Sequence, residues 1–300
     1  PNTAVPTLRN ADNVELVIGA PLNPNVADII LNQTPPELCP PDGVCSGHPA
    51  LRDLAVRQAL AHATDKQRIL AVVLLGLGTP GLTLIPDGLG TWYNDAIEDY
   101  AFDIAEANRL LDEAGYLDSD GDGVREMPDG SRPLSFRLNW PSDSATAPRM
   151  AELLDETWRQ IGVALQPQAL DPDTLTSICC RAFDSDIIIW GWGSDPDPAF
   201  LLSVHLTEEI PTGSSETGYS NPEFDELYGQ QATALDPAER QAIIWRMQEI
   251  LHRDVAYIVP YYDQAVQTFR TDRFQGWVID QPKVALQRPS SLTVIEPVGE

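Results

Sequence analysis

Basic residues are scarce: the 300-residue chain carries 19 Lys and Arg against 45 Asp and Glu, a net charge of −26 at neutral pH. Nucleic-acid grooves and anionic membranes are bound through clusters of Lys and Arg, so this balance argues against both as partners. Long apolar runs are missing too. The longest, Ile69 to Leu77, falls far short of the roughly 20 residues that span a bilayer. No basic-then-apolar segment opens the chain, and a start at Pro1 without Met reads as a processed product or an excised piece. Histidine and cysteine number four each. His48, His62, His205 and His252 show no paired spacing, and neither cysteine pair is spaced as a zinc site. Cys39 and Cys45 flank a Pro-Pro-Asp-Gly turn, which predicts a disulfide and an oxidising compartment outside the cytosol. Cys179 and Cys180 are adjacent, and their pairing stays open.

Several catalytic signatures are absent as well. No phosphate loop with Gly-Lys, no Gly-x-Ser-x-Gly elbow and no His-Glu-x-x-His helix occurs. Gly76 to Gly81 matches the dinucleotide pattern G-x-G-x-x-G, but it follows a helical segment and carries Pro80 where the next helix should begin.

What the chain does have is enough apolar residues, 43% with seven Trp, for a substantial core. Strands are expected at Val14–Ile18, Ala27–Asn32, Val163–Gln166, Asp186–Ile189 and Val255–Val259. Helical spacing runs through residues 51–63, and Thr64 with Gln67 predicts a capping box for the next helix. Asp103 with Glu106 predicts another, which stops at Gly115. A further helix is expected over 147–161, and Asn221-Pro222 and Asp236-Pro237 open two late ones. The alternation of helices and strands predicts an α/β sandwich.

The densest chemistry lies where three isoleucines, Ile187 to Ile189, run into Trp190-Gly191-Trp192-Gly193-Ser194-Asp195-Pro196-Asp197. Open α/β sheets place ligands beyond the carboxyl ends of such strands. Trp190 and Trp192 offer flat apolar platforms, and Asp195 and Asp197 can pair with a cationic or hydroxylated solute. A second motif, Asp118-Ser119-Asp120-Gly121-Asp122-Gly123, has oxygen ligands at positions 1, 3 and 5 of a tight calcium loop. Its Val124 carbonyl stands at position 7 and Asp129 at position 12, which predicts a structural Ca2+ and no cofactor for function.

Ordered landmarks run from His48-Pro49-Ala50-Leu51-Arg52-Asp53 through Thr64-Asp65-Lys66, Ile85-Pro86, Ala114-Gly115-Tyr116 and Trp158-Arg159-Gln160-Ile161-Gly162-Val163. They continue through Gly191-Trp192 and Tyr219-Ser220-Asn221-Pro222 to Ile258-Val259-Pro260. In that order the chain resembles the C-terminal lobe of the family 5 extracellular solute-binding proteins of ABC importers, the oligopeptide, dipeptide and nickel-binding class. The resemblance implies a periplasmic-binding-protein type II-like lobe, a mixed sheet flanked by helices. Residues 1–33 would close the first lobe and form a hinge strand, 34–254 the second lobe, and 255–300 the return strand and tail. It implies a non-enzymatic receptor, extracytoplasmic and lipid-anchored in its parent, that hands a solute to a membrane permease. In peptide-binding relatives the Asp after Gly-Trp pairs with the ligand's α-amino group, which here is Asp195 beside Trp192. Asn139-Trp140-Pro141-Ser142 departs from the carboxylate-clamping Arg of dipeptide binders. A longer peptide, an amino-sugar or an oligosaccharide therefore stays open. Two other classes stay open too: a secreted hydrolase using two of Asp184, Asp186, Asp195 and Asp197, and a calcium-stabilised adhesion module.

Overall fold

Alternation of side chains along two β-branched strands decides the architecture, as the computed structural model of residues 2–21, 23–279 and 283–299 makes plain. The strands are β1 (Val14–Pro21), β2 (Asn25–Leu31), β3 (Gly78–Pro80), β4 (Ser135–Pro141), β5 (Ala164–Leu170), β6 (Ile187–Gly193), β7 (Tyr257–Asp263) and β8 (Ala265–Arg270). Along β6, Ile187 and Ile189 point into one apolar layer and Ile188 into the other; β2 repeats this with Ile29 and Leu31 against Ile30. Successive strand residues face opposite ways, so a continuous apolar run requires cover on both sides. That cover is helical. Helices Leu54–His62, Lys66–Val73, Ile104–Glu113 and Ala147–Trp158 supply the first layer. Pro172–Cys179, Ala199–Ser203, Pro222–Thr233 and Pro237–Arg253 supply the second.

Six strands form the main sheet in the order β3-β7-β2-β6-β4-β5. It is mixed: β4 runs parallel to β5 and β6, while β2 is antiparallel to both β6 and β7. A smaller sheet pairs β1 antiparallel with β8 and parallel with Lys283–Val284. The chain therefore passes from the small sheet to the large one between β1 and β2, and returns between β7 and β8.

Most helix starts follow the expected caps. Asp103 accepts from the amides of Ala105 and Glu106, Asn221 from Glu223 and Phe224, and Asp236 from Ala238 and Glu239. The Thr64 box does not form. Asp65 caps that helix through the Arg68 amide, while Thr64, almost wholly buried, donates to the Leu60 carbonyl at 2.7 Å and accepts from Trp158 Nε1 at 3.3 Å. A hydroxyl held in the core must find its partners there. The strand expected from Val255 starts at Tyr257, because Val255 takes a positive φ of 45° as it leaves the preceding helix, and further strands follow it. The glycine-rich segment at 76–81 becomes the short strand β3, with no helix following directly.

Cys39 and Cys45 are joined in a disulfide with a Cα–Cα distance of 6.0 Å. The loop they close turns through a Gly43 amide to Pro40 carbonyl bond and docks on the Ala182 carbonyl through the Val44 and Cys45 amides. Closing a loop this short restricts the unfolded chain by about 2 kcal/mol. The Cys39→Ser, Cys45→Ser double variant is expected to lose that amount in urea unfolding under oxidising conditions, and to match the reduced native chain. Unchanged stability would mean that the loop is already ordered when unfolded.

Candidate functional site

The site is built where β6 runs past its pairing with β4 while staying paired to β2. Trp190, Gly191 and Trp192 lie opposite Asp28, Ala27 and Val26 of β2. Gly191 is required there, since a Cβ would stand 2.5 Å from the Val26 carbonyl oxygen. Beyond them opens a cleft of about 300 Å³ lined by the end of β6, the start of β2, Ser144, Thr146, Tyr261 and Asp263, while Trp190 and Trp192 pack against the second apolar layer with Ile188. Tyr261 donates to Thr146 Oγ1 at 3.3 Å, tying β7 to the loop before helix Ala147–Trp158. Ser194 fixes the rim by donating to the Pro24 carbonyl from both its amide and its hydroxyl.

Both tryptophans are half-buried, with Trp192 set edge-on to Phe200. Asp195 is exposed on the loop just past the rim and makes no hydrogen bond or ion pair with the described residues. Asp197 is committed elsewhere. Arg240 grips it in bidentate fashion at 2.6 and 2.8 Å, and it also accepts from the Ala199 amide. The expected solute role for Asp197 is therefore corrected: it holds the loop to helix Pro237–Arg253, and this guanidinium keeps its carboxyl below the usual range.

Asp263 was not anticipated, although a lone acid after Val259-Pro260-Tyr261-Tyr262 could have signalled it. It is half-buried in the cleft wall, and burial raises its carboxyl pKa. Two further acids lie under the tryptophans. Glu216 accepts from Trp192 Nε1 at 2.8 Å and from the Tyr257 hydroxyl at 3.1 Å, and burial pushes it up to about 7. Asp28, wholly buried, is raised well above the carboxylate range by burial and then by Glu216. A single acid in Val26-Ala27-Asp28-Ile29-Ile30 was the available signal for it.

Two more of the hydrolase candidates, Asp184 and Asp186, are engaged in structure. Arg137 contacts Asp184 at 3.1 Å and Asp186 at 3.0 Å, and Asp186 also receives the His48 and Arg137 amides. Carboxylates so engaged are poorly placed to exchange protons with a substrate.

In the acidic loop, oxygens of Asp118, Asp120, Asp122 and Glu126 lie within 4.8 Å of one another and could hold a cation. Asp118 is oriented by the Gly121 and Gly123 amides, and Glu126 by the Ser119 amide and hydroxyl. Asp129 lies outside this group and caps a separate turn through the Ser131 amide, so Glu126 at position 9 takes the place expected for it. Val124 donates its amide to Asp122 within the same loop.

Comparison with known proteins places these features in a family. The family model of bacterial extracellular solute-binding proteins, family 5, middle portion, matches residues 1–210. Heme-binding protein A of Haemophilus influenzae is 31% identical over 252 residues, covering 79% of this chain and 43% of the relative. The dipeptide-binding protein of Escherichia coli is 28% identical over 239 residues, covering 77% and 41%. The chain thus spans under half the length of these relatives. Among solved structures, the oligopeptide-binding protein AppA of Bacillus subtilis, in complex with a nonapeptide, superposes with a TM-score of 0.79 at 22% identity, covering 97% of this chain and 54% of that one. NikA of Brucella suis, in complex with Fe(III)-EDTA, gives 0.77 at 23% identity, covering 99% and 55%. The fold is therefore α/β of the periplasmic-binding-protein type II-like kind, with its mixed sheet flanked by helices. Matched over residues 1–210, the chain belongs to the bacterial extracellular solute-binding proteins, family 5.

Proposed function

We propose that this chain is the C-terminal, solute-contacting part of the substrate-binding component of an ABC importer, with a peptide or similar amine-bearing solute as its cargo. The carrying observation is the cleft at the end of β6, whose lining includes Trp190 and Trp192, followed along the chain by Asp195, exposed and without a partner among the described residues. An ammonium group set against an indole face and paired with a carboxylate gains from both contacts. The division at 33 and 254 fits this reading, with β2 and β7 as the strands that join the main sheet to a first lobe. The protein would act outside the cytoplasm, where the Cys39–Cys45 disulfide persists, and would be lipid-anchored in its full-length form. It would release its cargo to a permease unchanged. The oligosaccharide and amino-sugar alternatives draw no support from the relatives described above.

In the isolated chain Asp195 is open to water, where an ion pair contributes about 0–1 kcal/mol. Closure by a second lobe would desolvate the pair. In the full-length protein, Asp195→Asn is expected to weaken an amine-bearing peptide by about 2 kcal/mol in calorimetry, with little change in the isolated chain. Equal affinity for mutant and parent would remove Asp195 from the site, and product accumulating during long incubation would replace the receptor with an enzyme.

We also propose that the loop of Asp118, Asp120, Asp122 and Glu126 binds a structural Ca2+. The carboxylates repel one another, so a bound ion should raise the melting temperature and a chelator lower it. Glu126→Gln should weaken this response and Asp129→Asn should leave it intact. A melt insensitive to calcium and chelator alike would reduce the loop to an Asp-Gly turn.

A further inference from the structure

Cys179 and Cys180 are free cysteines at the end of helix Pro172–Cys179, the first buried and the second half-buried. Their sulfurs lie 2.8 Å apart. The two sulfurs and a carboxylate oxygen of Glu216 all fall within 4.8 Å of one another, under the cleft. Asp28 supplies an independent observation: its side chain is 0% exposed, and neither carboxylate oxygen has a hydrogen-bond partner among the described residues. It stands outside that group of three but within electrostatic reach of Glu216, so a cation held there would offset its charge as well. Buried carboxylates are ordinarily paired, hydrogen-bonded or bound to a metal.

We propose that Cys179, Cys180 and Glu216 form a buried binding site for a zinc-type divalent cation, with Asp28 outside the ligand set as a nearby buried charge. Two thiolates select a borderline-soft ion, because calcium and magnesium take oxygen ligands. Binding would transfer the proton of each thiol to water as its sulfur bonds the metal, with no redox change. Half-buried Cys180 gives the ion its way in. The site lies one hydrogen bond from the cleft, because the carboxylate that would hold the metal also accepts from Trp192 Nε1. Asp28 lies opposite Trp190 in the sheet register. An ion here would hold Glu216, and through it the Trp192 ring, in one orientation against a solute. This metal centre is distinct from the acidic loop, which offers oxygen alone.

The test uses the metal-free chain with its two free thiols kept reduced, titrated anaerobically with Co2+ and then with Zn2+. Co2+ should produce sulfur-to-metal charge-transfer absorption together with the visible bands of a tetrahedral ion, and Zn2+ should displace it. Zn2+ should also protect both thiols from a thiol reagent and change tryptophan fluorescence. Cys180→Ser, at a half-exposed position that should tolerate it, is expected to abolish the charge-transfer band, and Glu216→Gln to weaken Zn2+ by at least about tenfold. Asp120→Asn, in the acidic loop, should leave the band intact. Absence of the band with both thiols counted free would overturn the proposal. So would a band that persists in Cys180→Ser with its fold intact by circular dichroism.

Discussion

Lowering the pH from about 7 to about 4 is expected to remove about 3 kcal/mol of stability through His205 alone. This ring is wholly buried against Tyr257, Phe224 and Tyr219, and neither nitrogen has a hydrogen-bond partner among the described residues. Burial without a partner holds its pKa down at about 3, against 6.5 for a free histidine. The unfolded chain takes up the proton first, so this stability is complete above about pH 6.5 and is lost as the pH falls toward about 3. Other buried groups titrate in the same range. Glu216, whose pKa is raised, acts in the opposite sense, so the wild-type curve alone does not isolate the histidine. The difference between wild type and His205→Phe does. Phenylalanine keeps the ring and has no proton to bind, so the gap between the two urea-unfolding free energies should shift by about 3 kcal/mol across this window, whatever offset the new ring introduces. Parallel curves would mean that His205 is solvated or partnered in solution.

The second large effect concerns Trp158. It closes helix Ala147–Trp158, is 0% exposed within the first apolar layer, and places its Nε1 on the Thr64 hydroxyl. Truncation to alanine removes the whole indole from a close-packed site and leaves Thr64 short of one partner. The expected cost is about 3–5 kcal/mol by chemical denaturation. Trp158→Phe should cost clearly less, because most of the volume remains and only the hydrogen bond is lost outright. A loss below about 1 kcal/mol for the alanine variant would show that the layer collapses around the gap.

The features legible from residues alone were those set by near neighbours. Caps at Asp103, Asn221 and Asp236 depend on amides two or three positions away, and the buried run Ile187–Ile189 declares itself by having no polar face. Thr64 failed as a cap because Trp158, far along the chain, claims its hydroxyl, while Asp65 beside it serves as well. Helix Pro172–Cys179 carried the same Asp-Pro opening as Asp236-Pro237 but is short. An opening does lie at the end of the buried strand β6, as the run of isoleucines led one to expect. The commitment of Asp197 to Arg240, of Asp184 and Asp186 to Arg137, and of Glu216 to Trp192 are pairings across the fold that no local spacing encodes. For the same reason the adjacent cysteines gave no hint of a ligand set. Their carboxylate neighbour, Glu216, comes from the segment before Tyr219. The choice of Glu126 over Asp129 turns on a bend of the loop, read only once Ser119 and Ser131 are seen to take different carboxylates.

The order of strands in the main sheet also bears on how the chain is made. β2, made before either of its partners, occupies an inner position, and both partners, β6 and β7, arrive only after residue 186. Until then its two edges are unpaired and its isoleucines have no sheet to join, which favours misassociation with other chains. The intervening helices cannot complete their layer without that sheet. Folding of this part thus waits until β7 has been made and is dominated by long-range pairing, which makes it slow. Over that stretch of synthesis the inner strand lies open, and a holding chaperone would suppress its misassociation.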